Sequence, residues 1–248
     1  MNEWLLALFF LVALVYSMAG FGGGSSYLAL LVLFAVPMAV VPPVALICNM
    51  AVVSVGSWRF IRDGHFCWKR LLPFLMTSIP FAYFCGRIHV DKKVFLLLLA
   101  LSLFCAGINM LFTRRRDDVG KKIDPGRLWR WGLPAGALLG GVSGLVGIGG
   151  GIFLSPLLHT LHWGHSKQIA ASASVFIFLN SLSGLLGQMS KPMDIALLQS
   201  YLTLPIAAMI GGLAGSFWSS RKLSCAMVQR VAAVLVLYAS VRVGLSAF

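Results

Sequence analysis

Ten apolar stretches, at about residues 3–20, 25–36, 40–57, 71–87, 93–112, 131–147, 151–162, 168–188, 197–218 and 226–246, fill most of this 248-residue chain. Most are long enough, or nearly so, to cross a bilayer. They cannot all retreat into one soluble core, because hydrophobic residues make up 59% of the chain and charged residues only 11%. A soluble domain carries about 25% charged residues to cover its surface. The chain is therefore read as an all-α polytopic membrane protein whose partners include the lipid bilayer. Soluble enzymes, nucleic-acid binders and disordered scaffolds are excluded.

A formal charge of +13 would suggest nucleic acid in a soluble protein. Here Lys and Arg concentrate in short loops between apolar spans, which is the pattern of cytoplasmic loops in membrane proteins. The long hydrophilic stretch, RRRDDVGKKIDPGRLWR at residues 114–130, holds seven basic and three acidic residues. It is expected to be a cytoplasmic linker between a first transmembrane repeat, 1–113, and a second, 131–248. The five cysteines (Cys48, Cys67, Cys85, Cys105, Cys225) are scattered and form no CxxC or Cys/His spacing, so neither a disulfide framework nor a metal site is expected. Residues 4–16 resemble the apolar core of a signal peptide, but Glu3 stands where a basic flank belongs and apolar character resumes at once. They are read as part of the first span.

The halves repeat each other. GFGGGS at residues 20–25 matches GIGGGI at 147–152, an offset of 127. Asn49 and Gly56 stand seven apart, as do Asn180 and Gly187, and Pro73 corresponds to Pro205. Loop charge decides between inverted and parallel repeats. With five elements per half and the second half upside down, the cytoplasmic loops hold Arg59, Arg62, Lys69, Arg70, the seven linker cations, Lys167, Arg221 and Lys222. The outer loops hold only Arg87, Lys92, Lys93 and Lys191, so the division is fourteen against four. Parallel repeats of four crossings give twelve against six, and the inverted plan is favoured. It comprises about eight full transmembrane helices and two Gly-broken helical pairs.

Segments 25–36 and 151–162 hold about 12 residues, roughly 18 Å at the helical rise and short of a ~30 Å hydrocarbon core. They are expected to be half-helices. Irregular backbone at membrane depth survives only where protein or a water-filled cavity covers it, so the glycine runs belong inside the bundle.

Gly22, Gly23, Gly24 and Ser25 open one half-helix, and Gly149, Gly150 and Gly151 open the other. A helix start directs unpaired backbone N–H groups and partial positive charge at the break, which forms an anion site without a lysine. The competing reading is close helix packing by small residues, but two clusters at equivalent repeat positions favour the site. In AASASVFIFLNSLSGLLGQ, the residues Ser172, Ser174, Asn180, Ser181 and Ser183 interrupt a lipid-compatible helix, with Asn49 and Ser54 as first-half counterparts. Hydroxyls and amides can donate to an oxyanion while leaving the site neutral. The alternative is that they bond neighbouring helices or their own i−4 carbonyls. All seven acidic residues fall at the terminus or in loops, so no membrane carboxylate is placed to relay protons. His159 and His162 close a half-helix and are read as an amphipathic end. No nucleophile stands with a base, so no enzyme activity and no cofactor is expected.

GLVGIGGGIFLSPLL followed by KQIAASASVFIFLNSLSGLLG closely resembles the paired signature of the TauE/SafE family, also called the toluene sulfonate uptake permease family. The resemblance runs through the duplicated plan over nearly the whole chain and is strongest in the second half. The first half lacks a proline matching Pro156 and a serine pair matching Ser172 and Ser174. What the resemblance implies is transport of sulfite or a small organosulfur anion across the bacterial inner membrane. The expected substrate-binding set is Gly22, Gly23, Gly24, Ser25, Asn49, Gly149, Gly150, Gly151, Ser172, Ser174 and Asn180. The rival readings are a carrier of another small anion such as a carboxylate, and a membrane assembly subunit whose glycines only pack helices.

Overall fold

The computed structural model describes residues 3–18, 21–112, 125–161, 163–192, 195–218 and 225–246. Those residues form helices α1 (Glu3–Met18), α2 (Gly24–Leu33), α3 (Val41–Arg62), α4 (Trp68–Gly86), α5 (Lys92–Phe112), α6 (Pro125–Val146), α7 (Gly151–Thr160), α8 (Ser166–Met189), α9 (Ile195–Gln199), α10 (Thr203–Trp218) and α11 (Cys225–Leu245). No strand occurs among them. The two short segments appear as α2 and α7, ten residues each, or about 15 Å.

Two boundaries differ from the expectation for physical reasons. The stretch at 197–218 is divided into α9 and α10. Pro205, third residue of α10, lacks an N–H and fits a first turn without losing a helical bond, which suits a helix start just before it. Helix α6 starts at Pro125, inside the polar stretch, because proline is preorganised for the first helical position. Arg127 and Arg130 therefore lie on helical turns.

The packing has a two-fold pattern. Helix α6 packs on α4 through Gly132, Gly136, Gly140 and Gly144, each of which faces an α4 residue with no room for a Cβ. These contacts advance in step along both chains, from Pro73 through Phe74 and Ser78 to Ala82, so α4 and α6 are parallel. The counterpart pair, α1 and α10, is also parallel: Gly211 meets the Phe10 carbonyl and Gly215 the Leu14 carbonyl. Small residues here let backbones approach closely, the main attraction available between helices in lipid. The corresponding helices of the two halves instead run antiparallel. In α3 and α8, Leu46 lies by Gly184 and Asn49 by Ser181; in α5 and α11, Ala100 lies by Gly244 and Gly107 by Leu237.

The outer surface is apolar. Phe112 is 79% exposed, Phe217 74% and Leu138 69%, an arrangement that water would penalise and lipid tails accept. Trp58, Trp68, Trp129 and Trp131 lie exposed near helix ends, as aromatics do at membrane interfaces. Among the described residues, four helical stretches are long and apolar enough to cross a membrane, including α3 and α5.

Candidate functional site

The two glycine breaks are built alike. Gly23 caps α2 with φ +83° and Gly150 caps α7 with φ +74°, a left-handed conformation that glycine adopts without steric cost. The amides of Ser26 and Tyr27 return to the Gly23 carbonyl at 3.0 and 3.1 Å, and those of Phe153 and Leu154 return to Gly150 at 3.2 Å. Among the described residues, the backbone amides of residues 22–25 and 148–152 find no acceptor. Each break thus presents the partial positive charge of a helix N-terminus.

The breaks touch. A Cβ on Gly24 would lie 2.6 Å from the Ile148 carbonyl oxygen, so only glycine permits this approach. Asn49, projecting from α3, fills the remaining gap. Its Nδ2 donates to the Ile148 carbonyl and to Ser181 Oγ, both at 3.2 Å. A Cβ on Gly22 would collide with Asn49 Oδ1, and one on Gly149 with Asn49 Nδ2. Beside this contact lies a cavity of about 10 Å³ lined by residues 22–25, Asn49, Gly151, Ile152 and the Tyr16 ring. That volume holds about one water. Asn49 is 1% exposed, and its Oδ1 is buried without a hydrogen-bond partner.

The other expected residues stand elsewhere. Gly150 faces the bundle: a Cβ there would lie 3.0 Å from the Phe176 ring, and Gly150 is outside the cavity lining. Asn180, the sequence counterpart of Asn49, donates to the Phe176 carbonyl of its own helix at 3.0 Å. Ser172 and Ser174 donate to the carbonyls of Gln168 and Ala170 at 2.8 and 2.9 Å, the i−4 back-bond open to hydroxyls in apolar helices. None of the three lines the cavity. His159 lies in the last turn of α7, away from the lining; Gly20, His162, Arg221, Lys222 and residues 114–124 of the linker lie outside the described residues.

Sequence reasoning passed over Tyr16 and left Ser181 out of the binding set. Tyr16 is 1% exposed, and its hydroxyl accepts from Ser26 Oγ at 2.8 Å. The available signal was a tyrosine four residues before a glycine run inside an apolar span, because a buried tyrosine hydroxyl requires a polar neighbour.

The cavity lining carries no ionised side chain. Its polarity comes from backbone amides, one carboxamide, a serine and a phenol, which can recognise an anion without fixing it in place. Among the described residues, no group of three or more His, Cys, Asp or Glu is placed to hold a metal. A neutral polar site inside a lipid-facing bundle suits a protein that passes solutes across a bilayer, and this chain is a multi-pass membrane transporter. It belongs to the sulfite exporter TauE/SafE family, whose model matches residues 5–243. It is 29% identical over 235 residues to a probable membrane transporter protein of Sinorhizobium fredii, covering 94% of each chain. It is 26% identical over 210 residues to a probable membrane transporter protein of Methanocaldococcus jannaschii, covering 80% of this chain and 76% of the relative. No solved structure matches it.

Proposed function

We propose that the chain exports sulfite or a small organosulfur anion across the inner membrane, and that the anion sits between the two glycine breaks. The observation that carries this reading is the meeting of two left-handed glycine caps, with amides on both sides that find no acceptor among the described residues, around one neutral buried cavity. A sulfur oxyanion is larger than a water, so the breaks must part and Asn49 must swing aside to admit it. The conformation with the breaks in contact is the closed one in this reading. In the proposed site, amides of residues 22–25 and 148–152 donate to the anion, with Asn49, Ser25 and Ser181 beside them.

The two repeats are proposed to be inverted in the membrane, with the N-terminus, the loop at 36–41 and the C-terminus outside and the linker inside. Antiparallel α3/α8 and α5/α11 support this, because a two-fold axis relating such pairs lies across the helices. Export needs no coupling ion. A monovalent anion leaving a cell negative inside gains about 2.3 kcal/mol per 100 mV, roughly 50-fold accumulation.

In proteoliposomes, net sulfite flux should carry charge, follow an imposed potassium-diffusion potential at fixed pH, and survive replacement of His159 and His162. Flux that ignores the potential and requires a pH or sodium gradient would overturn the uncoupled mechanism. Parallel trials with thiosulfate, sulfoacetate, taurine and acetate separate the sulfur anions from carboxylates. Single cysteines at residues 118 and 191 should label from opposite sides, and labelling from one side would defeat the inverted plan.

A further inference from the structure

A second and larger cavity, about 190 Å³, opens where the α2–α3 and α4–α5 loops meet the C-terminal ends of α6 and α8. Its size falls below the roughly 300–1,000 Å³ of pockets for drug-sized ligands, so its occupant is small. Lys92, Lys191 and His89 line it together with Gln188, Pro42 and Phe95, and no carboxylate among the described residues lines it. Lys191 is only partly exposed, and burial lowers its pKa. Its ammonium is held in place: Nζ donates to Gln188 Oε1 at 2.9 Å, while Gln188 Nε2 donates to the Gly144 carbonyl at 3.0 Å. Gln188 is 4% exposed, so this cation is fixed to the bundle and keeps further N–H donors for a ligand.

The cavity also adjoins the deep site. Pro42, in its wall, lies against Gly147, where a Cβ would come 3.0 Å from Pro42 Cβ. Gly147 is the first residue of the second break, with φ +87°. Membrane proteins place most cations on the cytoplasmic side, yet two of the four cations assigned to the outer loops line this one cavity. Their gathering there, with no carboxylate among the described lining residues, points to a ligand of opposite charge.

We propose that this cavity is an outer anion station, in which Lys92 and Lys191 hold a small oxyanion at the mouth of the path to the glycine breaks. The proposal rests on the anion-transport reading and extends it to a second site with different chemistry. The deep site uses neutral backbone donors, and the station uses full charges in a wet opening. Focused positive charge of this kind raises local anion concentration by about tenfold or more.

The test is sulfite exchange in phosphatidylcholine proteoliposomes, comparing wild type with the double variant Lys92→Gln, Lys191→Gln. The expected result is a rise in KM of about tenfold at low salt with maximal rate within about twofold of wild type. In ~1 M salt, where the screening length is about 3 Å, the difference should collapse. Lys92→Arg with Lys191→Arg should keep the wild-type KM, which also shows that the sites tolerate substitution. Lys93→Gln, the same charge loss one residue outside the lining, should change KM far less. An unchanged KM in the glutamine double variant would overturn the proposal, as would an equal effect from Lys93→Gln. A shift seen only when phosphatidylglycerol is added would assign the cavity to a lipid headgroup and overturn it too. Wild-type protein that moves no anion defeats the transport reading and this proposal together, whereas normal transport with unchanged KM in the double variant defeats this one alone.

Discussion

The first glycine break lines its cavity with five consecutive residues, 21–25, whereas the second turns its cap, Gly150, toward Phe176 and offers Ile148, Gly151 and Ile152 instead. The asparagines divide in the same way. Asn49 reaches across the gap to Ile148 and Ser181, and Asn180 bonds back to its own helix. Repetition in sequence has not produced repetition in role. Asn49 fills the gap between the breaks, and Asn180 stays within α8. The residue beside Asn180, Ser181, meets Asn49 instead, because one position along a helix turns the side chain by about 100°. The glycines divide too: Gly132, Gly136, Gly140 and Gly144 give room for α4, while Gly23 and Gly150 supply a left-handed turn.

The largest effect should come from the shared part of the comparison. Gly23→Val and Gly150→Val each force a β-branched residue to positive φ, a strain of roughly 1–3 kcal/mol. Each also moves a half-helix terminus away from the gap. Both variants should lose sulfite flux by at least about a hundredfold while still reaching the membrane, as judged by flux and surface labelling. If either well-expressed variant transports normally, that cap returns to a packing role.

A smaller effect should separate the asparagines. Asn49→Ala removes the donor to two groups and should weaken sulfite binding by about 1–3 kcal/mol, roughly five- to 150-fold. Asn180→Ala removes only a bond within α8, and should leave sulfite affinity within about threefold of wild type while costing about 1 kcal/mol of stability. Equal loss of affinity in both would restore the symmetric site. Titration calorimetry on purified protein distinguishes these outcomes.

The smallest effect belongs to Ser172. Its hydroxyl is spent on the Gln168 carbonyl, so Ser172→Ala should change flux by less than about twofold and stability by no more than about 0.5 kcal/mol. A loss above tenfold would mean that the hydroxyl leaves its carbonyl during transport.

Much of the fold was legible because lipid imposes simple rules on length. Runs of about 12 apolar residues after glycines became α2 and α7, and the longer runs became spans with ends shifted by a few residues. Helix α6 moved furthest, because a window that scores apolarity stops at Arg130 whereas the backbone propagates from Pro125. The two glycine breaks were legible from their repetition. The asymmetry was not, since Asn49 and Asn180 look equivalent in sequence and only their direction relative to the gap distinguishes them. Serines reveal even less, because a hydroxyl that lines a site and one that bonds its own i−4 carbonyl leave the same trace.

The central claim is that both breaks form one site. Thermal stabilisation of the purified protein by sulfite, in salt high enough to screen surface lysines, tests it most directly when the wild type is compared with Gly23→Val and Gly150→Val singly. One shared site predicts a saturable shift in the wild type that either substitution alone abolishes. Two independent helix-end sites predict that each variant retains the shift of the intact half, and that result would contradict the account.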